Sequence, residues 1–376
     1  MRFIGTLALT LTAFVGASAH VDHLNFSTLI TTPLAIEGLT ADSAGNLYTA
    51  GRAGANGAPC PVWRVNMAAP ALVVVGFVPA LSATTQCNPS GVAFNASGEL
   101  FVADGNAERV YVLTPSETTR PIAGVYASGV PGTNGLAFDR DGQLWTGDGT
   151  TGLGRVWRIA PDGTVTEVFR IPPMRNSTAL AGNVAGDGVG RQARTFPPGT
   201  LANNAGGQDL VANGVLFTRD GDVIVADTAR GALWKVSLDR NGNVRNAMDC
   251  DTTFAPGTLC LDSVWVAHPA LEGADGITLD RRGNVWVDAN ERQAVAVVDR
   301  TGRVTEVFRN PPDATTFLRN AGPLEFPTSP VVLERTFCTA NSDGDRRDNS
   351  PRAAGEVNSG AGPQRGKISC ATLRED

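Results

Sequence analysis

The sequence predicts an all-β protein with a six-bladed β-propeller fold. A strand–turn–strand unit recurs six times along the 376 residues and is clearest at residues 274–287, ADGITLDRRGNVWV, which turn at Gly283. Residues 163–170, GTVTEVFR, are nearly copied by residues 302–309, GRVTEVFR, as two outer strands with the same role would be. Fixed-period self-similarity with strand content is typical of a propeller or a solenoid.

The blades follow one another along the chain. Residues 20–35 are expected to supply a leading strand that closes the ring with the last blade. Each copy then begins with a polar residue, and in the first five copies a glycine follows it directly; the six residues are Glu37, Ser90, Asn134, Asn213, Asp275 and Ser329. The sixth copy is degraded and resumes near Phe337.

The N-terminus has the pattern of a secretory signal peptide. An apolar run at residues 3–15 precedes small residues at Ala17 and Ala19, which predicts a signal over residues 1–19 with cleavage before His20. A signal anchor is the alternative, but the run is shorter than the ~20 residues that a membrane span needs. We therefore expect a secreted or periplasmic protein with no membrane span after cleavage.

Residues 20–376 are expected to form one propeller domain with a long loop insertion at about residues 171–211. That stretch is rich in proline, glycine and asparagine and has little periodicity. It enters blade four just before Asn213, so it is expected on the face that carries the polar column. The insertion is interpreted as a lid or substrate wall, or as a loop without a role in the site.

The net charge limits the kinds of partner that the protein can bind, and the cysteine content bears on the cellular compartment in which it folds. The formal net charge is −6 and no basic run is present, which argues against nucleic acid as a partner. Six cysteines allow 15 connectivities. In an exported chain, proximity favours three local disulfides, which join Cys60 to Cys87, Cys250 to Cys260 and Cys338 to Cys370.

The polar column predicts a metal site. In a propeller the first strand of each blade lines the central channel, so equivalent positions form a ring. Glu37, Asn134, Asn213 and Asp275 offer two carboxylates and two amide oxygens, a set that suits calcium best, although another divalent cation is possible. Ser90 and Ser329 complete the ring. The alternative is that each polar–glycine pair merely opens a turn.

These units resemble the senescence-marker-protein/gluconolactonase (regucalcin-like) family, which is related to paraoxonase and diisopropyl fluorophosphatase. The resemblance spans roughly residues 35–373 and implies a propeller with calcium in the channel and hydrolysis of lactones, esters or organophosphates. It implies metal ligands at Glu37, Asn213 and Asp275. Asn134 matches a ligand of the fluorophosphatase-like and paraoxonase-like members and lies at a substrate-contact region in the gluconolactonase-like ones. Residues 366–369, GKIS, resemble the final strand of that family.

The sequence also departs from that family. Sugar-lactone members place an arginine shortly before the third ring residue, where this chain has Pro131, Gly132 and Thr133. Paraoxonases use a histidine pair, whereas His268 is the one histidine in the body of this chain. Thr133, His268, Ser90 and Ser329 are therefore considered as substrate-contacting or channel-lining residues, although a loop histidine such as His268 is more often solvated.

The function expected from the sequence is calcium-dependent hydrolysis of a small lactone or related ester. Asp275 is the expected catalytic base or nucleophile, since a cation favours its ionised form. Glu37 would act mainly as a ligand. Two alternatives stand: a non-catalytic calcium-stabilised propeller that binds a carbohydrate or protein, and a metal-free propeller that resembles strictosidine synthase.

Overall fold

The protein is a ring of six antiparallel sheets of four strands each. The computed structural model describes residues 24–52, 55–172, 212–310, 323–342 and 365–373, and its sheets confirm the predicted six-bladed propeller. The predicted signal peptide at residues 1–19 lies outside the described residues, as do residues 173–211 of the predicted insertion.

The first three blades follow the predicted order along the chain. A leading strand, β1 (Phe26–Thr31), comes first. The blades are then β2 (Thr40–Ala41), β3 (Leu47–Ala50), β4 (Cys60–Val65) and β5 (Leu72–Val78); β6 (Pro89–Phe94), β7 (Leu100–Asp104), β8 (Arg109–Leu113) and β9 (Gly124–Ser128); and β10 (Thr133–Phe138), β11 (Leu144–Asp148), β12 (Arg155–Ile159) and β13 (Val165–Arg170).

The last three blades are built in the same way. Their strands are β14 (Ala212–Phe217), β15 (Val223–Asp227), β16 (Ala232–Val236) and β17 (Val264–Ala267); β18 (Ala274–Leu279), β19 (Val285–Ala289), β20 (Ala294–Val298) and β21 (Val304–Arg309); and β22 (Pro327–Leu333), β23 (Thr336–Asn341) and β24 (Lys367–Thr372). Short 3-10 turns lie at Leu261–Ser263, Pro269–Leu271 and Asn290–Arg292.

The ring closes through its N-terminal strand. β1 pairs antiparallel with β24, with Phe26 opposite Ala371, so blade six has the order β1, β24, β23, β22. This confirms the predicted closure by the leading strand and the predicted final strand. Closure holds the two ends of the described chain in one sheet.

In blades one, three and five, the turn between the first two strands is built around an aspartate side chain: Asp42, Asp139 and Asp280. In blade five, Asp280 Oδ1 accepts hydrogen bonds from the backbone N–H groups of Arg282 and Asn284, each at 2.8 Å. Asp280 Oδ2 accepts from Asn284 Nδ2 at 2.8 Å and from Trp286 Nε1 at 3.2 Å. Gly283 has φ +85°, a conformation that glycine adopts without strain. The repeated turn is therefore specified by local chemistry.

The core lies between the blades. The second strands are buried, and aromatic rings from adjacent blades meet across the interfaces. Trp286 of blade five lies 5.0 Å from Phe337 of blade six, and Phe101 of blade two lies 5.0 Å from Phe138 of blade three, measured between ring centroids. Such pairs add to the burial of apolar area and fix the spacing of neighbouring sheets.

The three predicted disulfides are confirmed. Cys60 in β4 is bonded to Cys87, just before β6, and so joins blades one and two. Cys250 and Cys260 close the excursion between β16 and β17, and Cys338 and Cys370 join β23 to β24. In the part of the chain that the structure describes, no helix is long and apolar enough to cross a membrane.

Candidate functional site

The inner strands all begin at one face of the propeller, here called the ring face, and most begin with a β-bulge. In blade five Ala274 pairs with Ala289 and Ile277 with Val287, so Asp275 and Gly276 lie in the bulge between these pairs. The same irregularity contains the polar–glycine pairs at residues 90–91, 134–135 and 213–214. Because a bulge re-aims a side chain, these polar residues leave the ladder at the same point of each blade.

The six inner strands form a closed circle. β2, β6, β10, β14, β18 and β22 contact one another in that order, and β22 contacts β2. Hydroxyl groups tie neighbouring blades together at the ring face. Thr328 Oγ1 donates to the Glu37 carbonyl at 2.7 Å, and Ser90 Oγ donates to the Thr133 carbonyl at 3.1 Å.

The glycine of each polar–glycine pair is explained by packing. A Cβ added to Gly135 would lie 3.0 Å from the Asn213 carbonyl oxygen, and one added to Gly214 would lie 2.5 Å from that of Asp275. Gly38, Gly91 and Gly276 face the next blade even more closely. Only glycine permits this approach between the inner strands, so half of the repeated motif is structural.

Packing alone does not explain the polar residue of each polar–glycine pair. Ser90, Asn134, Asn213 and Asp275 are each less than a tenth exposed, and the Glu37 side chain is 13% exposed. Burial of carboxylates and amides costs free energy unless partners satisfy them. Their partners therefore decide what the ring can do.

A second column, which the sequence analysis missed, supplies several of these partners. It is the residue that follows the second strand, fifteen positions after the ring residue, and it reads Arg52, Gly105, Gly149, Thr228 and Asn290 in blades one to five. Strand, turn and strand have constant length, so this spacing was readable from the repeat. We call it the support column.

In blade five the support column holds Asp275. Asn290 Nδ2 donates to Asp275 Oδ2 at 2.7 Å, and both residues are buried. The hydrogen bond fixes the orientation of the Asp275 carboxylate. Asn290 Oδ1 is buried and has no hydrogen-bond partner among the described residues.

In blade one the support column carries a charge. Arg52 forms an ion pair with Glu37 through its Nη2 atom and the Glu37 Oε2 atom. The two side chains are 31% and 13% exposed, so the pair lies at the edge of solvent. Arg52 thus neutralises one of the two predicted carboxylate ligands in the structure described.

The two asparagines of the ring are held differently. Asn213 Nδ2 donates to Thr228 Oγ1 at 3.2 Å, and Thr228 Oγ1 in turn donates to the Ala274 carbonyl at 2.7 Å. This leaves Oδ1 as the amide atom of Asn213 that is available to a ligand. Asn134 packs against Gly149, where a Cβ would overlap its amide group.

The remaining candidates lie apart from these contacts. Thr133 is 1% exposed, and its Oγ1 lies 2.9 Å from Thr146 Oγ1 within blade three. Ser329 is half-buried at the start of β22.

His268 stands on the exposed segment between β17 and β18, where its Nδ1 accepts from the Ala270 N–H at 3.0 Å and caps a 3-10 turn. Partial burial, with help from the charge of Arg292, lowers the pKa of His268.

Three aspartates at the ends of the second strands cap their own loops. Asp104, Asp148 and Asp227 each accept a backbone N–H from the residue three positions later. Asp227 also pairs with Arg230 at 2.9 Å and with Trp234 Nε1 at 3.0 Å. These carboxylates serve the structure of the ring face.

The donor chemistry of the ring fits a hard divalent cation. All of its candidate ligands are oxygen atoms, and the Asn213 amide presents its oxygen. Within the described ranges no group of three or more His, Cys, Asp or Glu residues could hold a metal, so a cation would depend on the amides as much as on the carboxylates. A cation coordinated by Glu37 would have to compete with Arg52 for the Glu37 carboxylate.

Comparisons with known proteins agree with this architecture. Residues 196–323 match the family model described as SMP-30/Gluconolactonase/LRE-like region. A search of curated protein sequences found no match.

Among solved structures, a gluconolactonase from Xanthomonas campestris is 15% identical with a TM-score of 0.56, and the match covers 95% of this chain and 93% of that chain. A calcium-binding protein, regucalcin, from Agrobacterium tumefaciens is 17% identical with a TM-score of 0.55 and coverage of 94% and 96%. Virginiamycin B lyase from Staphylococcus aureus is 12% identical with a TM-score of 0.50 and coverage of 93% and 99%.

At these identities the structural likeness shows the fold alone, and the proteins named carry out different chemistry. The family model adds the sequence evidence, and it covers the strands of blades four and five, including Asn213 and Asp275. Residues 196–323 of this chain are therefore similar in sequence to the SMP-30/gluconolactonase/LRE-like region, and its whole length shares the fold of the solved propellers.

Proposed function

We propose that this protein is an exported hydrolase that opens a lactone or cleaves a related ester at the ring face, with a divalent cation held by Glu37, Asn134, Asn213 and Asp275. The observation that carries the proposal is the equivalent position of these oxygen donors. Asn134, Asn213 and Asp275 each lie in the bulge of an inner strand, and Glu37 follows the bridge of Ile36 with Gly51. The three disulfides suit an oxidising compartment outside the cytosol.

Calcium is the proposed cation, and when bound it would polarise the substrate carbonyl and stabilise the developing oxyanion. The residues of the chain position the reacting groups and the cation. The Asn290 amide donates to Asp275 Oδ2 and so fixes the orientation of the carboxylate. Asp275 is therefore the proposed base or nucleophile, Glu37 a ligand, and Asn213 an oxygen donor fixed by Thr228.

The ring glycines contribute rigidity rather than chemistry. They allow the inner strands to approach closely, so the donors stand on a packed scaffold. A preorganised set of donors loses little free energy to rearrangement when a substrate binds.

The test is hydrolysis of a panel of small lactones and aryl esters, assayed with calcium and again after chelation. We expect turnover that disappears on chelation and returns with calcium. Turnover that does not need calcium would discard the cation and support a metal-free propeller enzyme. Absence of turnover, with calcium still raising the melting temperature, would support a non-catalytic binding protein instead.

A further inference from the structure

Arg52 is held beside Glu37 by the backbone on both sides of the pair. The Arg52 N–H donates to the Ala35 carbonyl at 2.8 Å, and Ile36 forms a bridge with Gly51. Gly51 lies directly against the Trp63 ring, where a Cβ would overlap it. The main chain that carries Arg52 is therefore fixed in the strand that returns to the ring face.

Glu37 is fixed as firmly. Its carbonyl accepts the Thr328 hydroxyl at 2.7 Å from blade six, and Gly38 packs against the Ser90 carbonyl of blade two. The ion pair therefore joins two side chains whose backbones have little freedom. It belongs to the architecture of the ring face, at the edge of solvent.

A guanidinium and a divalent cation compete for the same carboxylate. Both are attracted to Glu37, and they repel each other at a separation of a few ångströms, where partial burial weakens the screening by water. A cation that binds Glu37 must therefore displace Arg52 or accept its repulsion. Either event lowers the affinity of the site for the cation.

We propose that Arg52 takes the place of the cation at Glu37 in the cation-free protein and gives up that carboxylate when a cation binds. The inference rests on the cation site proposed above. In the cation-free protein, the positive charge of Arg52 offsets the negative charge of Glu37 and so reduces its repulsion with Asp275. This stabilises the cation-free fold. Arg52 also places the affinity in the weak range typical of extracellular calcium modules, on the order of 0.1 to 1 mM.

The test is calcium titration calorimetry on the purified full chain and on three variants, with melting temperatures measured with and without calcium. Arg52→Gln removes the charge, and Arg52→Lys keeps it. The matched control is Arg64→Gln, because Arg64 is equally exposed at 31% and pairs with a glutamate, Glu117, that lies outside the ring.

We expect Arg52→Gln to bind calcium at least tenfold more tightly, Arg52→Lys to remain within about threefold of the parent protein, and Arg64→Gln to be unchanged. The cation-free Arg52→Gln protein should also melt at a lower temperature and gain more from calcium. If that variant does not fold, Arg52→Met carries the same expectation.

Calcium affinity that is unchanged or weaker in Arg52→Gln would overturn the inference and leave the cation site standing, since weaker binding means that Arg52 orients Glu37 as a ligand. Calcium binding by none of the four proteins would overturn the proposed cation site and the inference with it.

Discussion

The two ends of the inner hairpins carry the same residue types for different reasons. At the turn end, the Asp280 carboxylate accepts four hydrogen bonds, two of them from backbone N–H groups within its own turn. At the ring end, Asp275 lies in a bulge, and its Oδ2 accepts from the side chain of Asn290, fifteen residues away. One repeated carboxylate completes a local turn, whereas the other depends on the arrangement of the blade.

The difference teaches how to interpret a repeated polar residue in a propeller. Where the side chains of a column hydrogen-bond to their own turns, the turns account for the residue type and no ligand is needed. A column whose side chains are buried in bulges at the channel, with supports that differ from blade to blade, is not explained by turn chemistry. The ring residues belong to the second kind, which makes them the better candidates for function.

The largest effect that separates the two ends is expected from Asp275→Asn. The change keeps the shape of the side chain but removes the base, so kcat for lactone hydrolysis should fall about 10³-fold, within the range for loss of a general base. Steady-state kinetics at saturating calcium would measure this loss. Calorimetry should still detect calcium binding.

Asp280→Ala is the control at the turn end. It should cost about 1 to 2 kcal/mol of unfolding free energy, because several hydrogen bonds of the turn are lost, and kcat should stay within about twofold. If Asp275→Asn hydrolyses the substrate at the parental rate, Asp275 is not the base. If Asp280→Ala abolishes turnover, the distinction between the two ends is wrong.

The glycines provide the next largest effect. Gly214→Ala places a Cβ 2.5 Å from the Asp275 carbonyl oxygen, and we expect a loss of about 3 kcal/mol because backbone cannot move aside cheaply. Gly98→Ala at a turn meets nothing within 4 Å, and its φ of +81° should cost only about 1 kcal/mol. Urea denaturation of both variants would measure the difference, and equal losses would contradict the packing argument.

The sequence predicted the fold almost completely. Regular strand–turn–strand spacing located the blades, the leading strand and the final strand, because the hydrogen-bonding of each blade is set by local turns such as that of Asp280. The proximity of the cysteines gave the three disulfides for the same reason: each bond joins neighbouring elements. The calcium site and the role of Asp275 remain predictions.

The supports of the ring were not predicted. Arg52 and Asn290 follow the second strands, where a single sequence shows only a varied set of residues at the start of loops, two of them glycines. Their roles come from the register between two strands, which pairs Ile36 with Gly51 and Ala274 with Ala289 and so sets Arg52 and Asn290 beside the ring. A fixed offset of fifteen residues was present in the repeat, but only strand pairing gives it a meaning.

Asp288 breaks the pattern of its strand and supports the last prediction. The aspartates that end β7, β11 and β15 cap their own loops, whereas Asp288 lies one position earlier in its strand and faces blade six. It is fully buried, and its Oδ2 lies 2.6 Å from Thr339 Oγ1. Burial raises the pKa of Asp288 well above its usual range, and the Thr339 hydroxyl opposes this only in part.

Because the folded protein keeps the Asp288 proton to a higher pH than the unfolded chain does, the unfolding free energy should fall as the pH rises above about 3.8. The slope is about 1.4 kcal/mol per pH unit until the pKa of the folded state is reached. Asp288→Asn cannot ionise, so it should be more stable than the parent protein by about 1 to 2 kcal/mol at pH 5, with little difference at pH 3.5. Urea unfolding at a series of pH values would measure this.

Thr339→Val should keep the slope, since burial is its main cause, and a slope that vanishes in that variant would assign the effect to the hydrogen bond. A parental slope in Asp288→Asn would show that another group titrates. The outcome decides whether the interface between blades five and six is held by a neutral acid, in contrast to Asp280, whose side chain is satisfied within its own turn.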